Sequence, residues 1–347
     1  MLASSFTSYL GVFNAYYRDY LWKEFWMNDL KARDIPLSLP ASGTNTAGTN
    51  NNNNNAASSS SMILPCDPLY NNILANESTL ATWQNEGLPS DRISLENGAI
   101  LTNSNRWPLL IDPQLQGIRW LIQHETIHCE KQGKSLVMLK NGEKTMMMKL
   151  IQAISNGDTV ILENIDEHID AALTPILSKS IHRKGKNYYL KLGDEDIEYS
   201  PNFQLFLQTK LSNPHYQPEI LTLCNLINFL VTKKGLEDHL LAMIVSEEEP
   251  ELEKTRNELI LSFNNYKIQL KELEDLLLER LSNAPEDILS DIPLIEGLEH
   301  TKQTATEINE AVTKAIQTEI GINAAREIYR IIATEAALLY FIFCNYK

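Results

Sequence analysis

The hydrophobic pattern of the chain changes period three times. Phe6, Tyr9, Leu10, Phe13, Tyr16, Tyr17, Tyr20, Leu21 and Trp26 recur mainly three and four residues apart, which predicts helices over residues 3–33 with one buried stripe. Large rings bury well against a neighbouring unit, so aromatic density here is a packing signal rather than a ligand site. Residues 41–61, ASGTNTAGTNNNNNNAASSSS, have almost nothing apolar to offset ordering entropy and read as a low-complexity, flexible insertion.

From 62 to 245 short apolar runs alternate with helical periods. RWPLLID, GDTVILENI and NFQLFLQTK read as strands, and QLQGIRWLIQHETIHCEKQ reads as a helix. The expected class is an α/β core with a mostly parallel sheet, carrying a small hairpin made from residues 185–191 and DIEYS.

Beyond Pro250 the period becomes that of a coiled-coil seam: Leu252, Arg256, Leu259, Phe263, Tyr266, Leu270, Leu273 and Leu277. SNAPED at 282–287 supplies turn chemistry, and a second seam returns through Leu298, Thr301, Ala305, Ile308, Val312, Ala315 and Ile322. Together they predict an antiparallel arm of about 40 Å at ~1.5 Å per residue. The terminal AALLYFIFCNYK reads as a helix in need of a packing partner.

Charge and cysteines narrow the setting. Forty-five acidic against 30 basic residues give a formal net charge of −15, which argues against a general nucleic-acid or anionic-membrane binder. Cys66, Cys129, Cys224 and Cys344 are widely spaced, which fits a reducing compartment. In that setting the Asn76-Glu77-Ser78 glycosylation triplet has no secretory context. No run approaches the ~20 apolar residues needed to span a bilayer.

Two stretches carry candidate chemistry. His124-Glu125-Thr126-Ile127-His128 spells HExxH, which on a helix presents two imidazoles on one face and a glutamate placed as base for a metal-bound water. No third ligand pattern follows, so the expectation is a solvated helix end, with a zinc peptidase as the remote alternative. Asp112-Pro113-Gln114-Leu115-Gln116-Gly117-Ile118-Arg119 has the strand-turn-helix setting of a phosphate loop without its chemistry. Only Gly117 offers permissive backbone, Pro113 has no N–H, and no Lys-Ser/Thr pair follows. In VILENI, Leu162 stands where an aspartate would hold magnesium, leaving Glu163 alone.

SYLGVFNAYYRDYLWKEFW, GLPSDRISLENGAILTNSNRWPLLIDPQLQGIRWL, LGDEDIEYSPNF, TKLSNPHYQPE and NFLVTKKGLEDHLLAMIVSEEEPELEKTRNELI resemble, in that order, the stretch of dynein heavy chains that follows the microtubule-binding stalk. The resemblance implies an AAA-type, P-loop NTPase-like core with a degenerate nucleotide site, a helical small subdomain and an antiparallel coiled-coil hairpin. In its terms residues 1–40 end the small subdomain of the fourth AAA-type module, 62–245 form the large subdomain of the fifth, and 246–347 form its helical small subdomain. The hairpin at 251–322 resembles the buttress that braces the stalk.

The resemblance further implies that the fifth module binds no nucleotide. Asp112, Pro113, Gln114 and Gly117 then occupy its degenerate phosphate-loop position, Glu163 its acidic-strand position, and Asn213 lies near its polar sensor position. Leu115 departs from the glycine that family members commonly carry. No cofactor belongs to this segment, while ATP and magnesium belong to other modules of the parent motor. Implied partners are adjacent AAA modules and the stalk of the same heavy chain, other dynein subunits and, indirectly, microtubules. The implied setting is the cytoskeleton, with axonemal wording favouring the cilium over the cytoplasm. Alternatives are a weakly ATP-binding or ATP-hydrolysing module and a fragment, split-gene or pseudogene product of a longer motor.

Overall fold

The computed structural model describes residues 2–33, 74–193, 195–282 and 292–345. The low-complexity insertion at 41–61 and the expected arm tip at 283–291 lie outside the described residues. The chain opens with α1 (Leu2–Tyr9), α2 (Ala15–Tyr20), a π-helical turn (Leu21–Trp26) and α3 (Met27–Ala32). Next come α4 (Glu77–Asn85), α5 (Arg92–Thr102), β1 (Trp107–Ile111), α6 (Gln116–Gln132), β2 (Leu136–Lys140), α7 (Met146–Asn156) and β3 (Thr159–Glu163).

A short α8 (Thr174–Leu177) leads into β4 (Ile181–Lys184), β5 (Asn187–Leu192) and β6 (Glu195–Tyr199), which form a separate antiparallel sheet in the order β4-β5-β6. β7 (Gln204–Thr209), α9 (Pro218–Leu223) and β8 (Cys224–Asn228) complete the core, and α10 (Lys233–Glu248), α11 (Pro250–Ser282) and α12 (Ile292–Asn345) form the helical part.

The main sheet runs β2-β3-β7-β1-β8 with every pairing parallel. β1 lies between β7 and β8, which is why all five of its residues are buried and the run WPLLI is apolar throughout. Strand alternation divides the core between the two faces. Leu109, Leu162 and Leu207 join the cluster under α7 and α8, while Leu110, Ile161 and Phe206 join the cluster under α5 and α6. The three expected strands are present. β2 and β8 add to them, and the expected hairpin gains a third strand, β4.

β8 escapes a pattern search because CNLIN carries two asparagines. Their amides are used by the N-terminal segment, which covers this sheet edge. Asn225 donates to the Thr7 carbonyl at 2.9 Å and Asn228 to that of Val12 at 3.3 Å, while the Asn228 N–H reaches the Gly11 carbonyl at 2.8 Å. Gly11 is required there, since a Cβ would lie 2.4 Å from the Leu226 carbonyl oxygen.

Arg18 closes the joint. It is 3% exposed and donates to the carbonyls of Phe13 and Gly11, to Asn97 at 2.6 Å and to Glu96 at 3.3 Å. The expected aromatic stripe needs correction. Phe6, Leu10 and Trp22 are buried, but Tyr9, Phe13, Tyr16, Tyr17 and Tyr20 are exposed. The rings stack on one another instead: Tyr16 lies parallel to Tyr20 at 6.4 Å, because this face of the short helices turns away from the core.

α10 ends at Glu249, whose φ of −136° breaks the helix, and Pro250 opens α11, where a missing N–H costs nothing. α11 has 33 residues, roughly 50 Å at 1.5 Å each. Of the returning positions, Thr301, Ile308 and Ile322 are buried, and Ala305, Val312 and Ala315 are half-buried. α12 runs unbroken through position 322 to Asn345 and packs Ala333 against Leu241 and Val245 of α10. Glu253 accepts ion pairs from both Arg256, at 3.2 Å, and Arg326, at 3.1 Å, which fixes α11 antiparallel to α12. Ile328, Ile331, Leu339 and Phe343 face outward along the end of α12. Among the described residues no helix is long and apolar enough to cross a membrane.

Replacing Arg18 by leucine should cost about 3 kcal/mol of unfolding free energy, because Glu96 keeps only the half-exposed Arg92 as partner. Urea unfolding measures this, and a loss below about 1 kcal/mol would show that the joint does not depend on Arg18.

Candidate functional site

The turn that the sequence suggests as a degenerate phosphate loop lies where β1 leads into α6. The first N–H groups of a helix need partners, and their partial positive charge makes this end a natural anion site. Here the anion is internal. The Asp112 side chain is fully buried, and its two oxygens accept from the N–H groups of Gln116 at 3.1 Å and Ile118 at 2.9 Å. Burial pushes its carboxyl up from the ordinary range, while the backbone N–H groups of Ile118, Gln116, Gly117 and Leu115 pull it back down. A bound phosphate would need these same donors.

The rest of the loop departs from phosphate binding in three ways. Leu115 adopts φ 60°, ψ 30°, the left-handed conformation that glycine takes without strain and other residues reach at a cost of about 1–2 kcal/mol. The leucine is held in that conformation, packed against the core cluster under α6, so this turn carries strain and a side chain where a phosphate loop would use a permissive backbone. Gly117 is helical and serves packing: a Cβ there would meet the Phe229 ring at 2.8 Å. The Gln114 amide donates to the Tyr340 hydroxyl of α12 at 3.2 Å, which ties the loop to the helical part.

The other predicted positions separate. Pro113 shares the loop, half-buried. Glu163 ends β3 half-buried, in register with Lys140, and its carbonyl accepts from Asn141. Asn213 lies in an exposed bend beyond Thr209, the last residue of β7. The polar group at that strand end is Gln208, 1% exposed, which donates to the Asp112 carbonyl at 3.2 Å and accepts from the Asn164 N–H at 3.1 Å. Gln208 thus stitches the ends of β1, β3 and β7 together. An apolar strand ending in a single glutamine was the only sign of it in the sequence. Arg119 is exposed on α6.

A cleft of about 950 Å³ lies between this end of the sheet and the helical part, lined among others by Asp91, Arg92, Gln116, Phe229, Thr232 and Arg326. The arginines that line it have carboxylate partners. Arg92 pairs with Glu96, Arg326 with Glu253, and Arg330 with Glu327 and Asp238.

The HExxH stretch is not a solvated helix end. α6 buries Gly117, Ile118, Trp120, Leu121, His124, Glu125 and Cys129, and His124 continues that row. Its ring stacks on Trp120 at 5.3 Å, and its Nδ1 lies 2.7 Å from a Glu86 oxygen. His128 is exposed one turn on. Among the described residues no group of three or more His, Cys, Asp or Glu side chains could hold a metal ion. Cys129 and Cys224 are buried free thiols, and burial pushes Cys224 up to about 12, so it packs as a small apolar group.

Replacing Asp112 by alanine should orphan the buried donors at the start of α6 and lower stability by about 3 kcal/mol in an anion-free buffer. Inorganic phosphate should restore part of that loss, read as a phosphate-dependent melting temperature that the unaltered chain lacks. A variant as stable as the parent would show that the carboxylate does not hold the loop.

Glu125 yields a pH test. Burial pushes its carboxyl up and the neighbouring His124 pulls it down. The folded value lies above the unfolded one, so its contribution to stability is lost as pH rises from the ordinary glutamate range through the raised value. Glu125→Gln should raise the melting temperature near neutral pH and leave it unchanged under acid conditions, where the parent carboxyl is already protonated.

The chain matches the family described as the ATP-binding dynein motor region over residues 81–308, well over half its length. It is 45% identical over 342 residues to the ciliary dynein beta chain of Tripneustes gratilla, and 44% identical over 345 residues to the flagellar outer arm dynein beta chain of Chlamydomonas reinhardtii. It is also 45% identical over 342 residues to dynein axonemal heavy chain 17 of Mus musculus. Each comparison covers 99% of this chain and 7% of the relative. The family match over most of the chain and these relatives, in accord with a parallel α/β core and a helical subdomain, lead to one assignment: the chain belongs to the dynein motor-region family.

Proposed function

We propose that this chain is a non-catalytic structural and coupling module of a dynein heavy chain, spanning the end of the fourth AAA-type module and most of the fifth. The observation that carries this reading is the Asp112 carboxylate on the first N–H groups of α6, where a nucleotide phosphate would have to sit. With its anion supplied from within, the module keeps a fixed shape while chemistry proceeds in other modules. The N-terminal segment, held on β8 through Arg18, Gly11 and two asparagines, serves as the joint to the preceding module. The α11–α12 hairpin serves as the buttress that meets the stalk. Relatives named for cilia, flagella and axonemes favour the axonemal cytoskeleton as the setting.

One observation favours a second reading, a weakly ATP-binding module: the cleft of about 950 Å³ beside the loop is large enough for a nucleotide. Titration calorimetry of the whole chain with magnesium and ATP separates the two. The proposed reading expects no saturable heat, and saturable binding would overturn it. In a full-length motor, shortening the hairpin by whole heptads should uncouple ATP turnover from microtubule affinity. Coupling that survives the deletion would remove the bracing role.

A further inference from the structure

The start of the arm is attached to the molecule at two places. One is the helical unit, through Glu253, Arg326 and the contacts of α10. The other is α4, which lies against α11 and belongs to the α/β core.

Asn264 of α11 is 3% exposed, a position where a lone amide is costly unless its hydrogen bonds are made. It donates to the Asn85 side-chain oxygen at 3.0 Å, and the Asn85 amide donates in turn to Asn265 at 3.1 Å. One asparagine at the end of α4 therefore engages two consecutive asparagines of the arm. Lys267 adds a weak, half-exposed pair with Glu77 at the other end of α4. A buried polar contact of this kind fixes the axial register of two helices more sharply than apolar packing does.

The other face of α4 is attached to α6. Trp83 meets Trp120 edge-on at 5.8 Å, and Glu86, next in sequence to Asn85, holds His124, which stacks on that same Trp120. α6 is the helix whose first turn holds the Asp112 carboxylate.

We infer that α4 is a clasp transmitting displacement of the arm directly to α6 and the closed loop at its start, with Asn85 and Asn264 as positioning residues on one side and Glu86 and His124 on the other. This rests on reading α11–α12 as a force-bearing arm. It gives that arm a route into the sheet core that bypasses the helical unit.

Coupling between two sites is reciprocal, so the clasp is read from both ends. Hydrogen exchange on the full chain should show that Asn264→Leu speeds amide exchange in α6 between Trp120 and Glu125 by about tenfold, with the β1 and β7 amides unchanged. Glu86→Gln should speed exchange in α11 between Leu261 and Ile268 by a comparable factor. Asn85→Asp, which keeps the acceptor for Asn264 and removes the donor to Asn265, should give a smaller change at both ends, and it carries the same test if Asn264→Leu does not fold. Effects confined to the substituted helix and its immediate partner would overturn the proposal. If the exchange pattern holds while arm shortening leaves motor coupling intact, the clasp stands and the bracing role falls; the opposite pair of results removes the clasp alone.

Discussion

The positive end of α6 is the constraint on which the rest of the structure depends. A buried helix start presents N–H groups that must be satisfied, and a parallel sheet with this topology places that start beside the cleft of about 950 Å³. Filling it with Asp112 trades an exchangeable ligand for a covalently tethered one. The tethered group cannot leave, so the turn, the first helical residues and the end of β1 form one unit at all times. The buried Gln208 amide extends that unit to β3 and β7. The Phe229 ring packs close to Gly117 and the Gln114–Tyr340 contact reaches α12, so the turn is tied on three sides to the rest of the described structure.

The electrostatics of the cleft follow the same logic. In a site built for phosphate, arginines are left with unused donors until the ligand arrives. Here Arg92, Arg326 and Arg330 each have a carboxylate partner, and Arg18 spends its donors on two carbonyls, an amide and a glutamate. Of these contacts, Arg18 with Glu96 and Asn97, Arg326 with Glu253 and Arg330 with Asp238 join parts of the chain that are far apart in sequence. Their value lies in fixing geometry, since a desolvated ion pair adds little net stability over apolar packing.

Much of this was legible before the fold was known. β1 announces itself as an apolar run because both of its faces are buried, and the arm announces itself through Leu252, Leu259, Ile308 and Ile322, whose spacing is that of a seam. What was hidden shares a cause: polar residues whose partners are distant in sequence. Asn225 and Asn228 make β8 look like a loop until the N-terminal segment is seen to take their amides. Asn264 looks like an interruption of the arm until Asn85 is placed beside it. The motif around His124 is polar and suggests a solvated helix end, while its place in the Trp120 row puts it inside. At Leu115 the sequence implied lost freedom, yet the backbone kept the left-handed turn and accepted the strain, because the flanking strand and helix leave it no other path.

The continuity of α12 bears on how such a molecule can deform. A hinge needs a residue where the backbone hydrogen-bond ladder is interrupted, and along the 54 residues of this helix no proline or cap interrupts it past the first turn. One helix both returns the arm and walls the cleft, with the Ala333 contact on α10 partway along it. Deflection at one end is therefore carried along the helix toward the Ala333 contact with α10 rather than taken up at a break in the ladder.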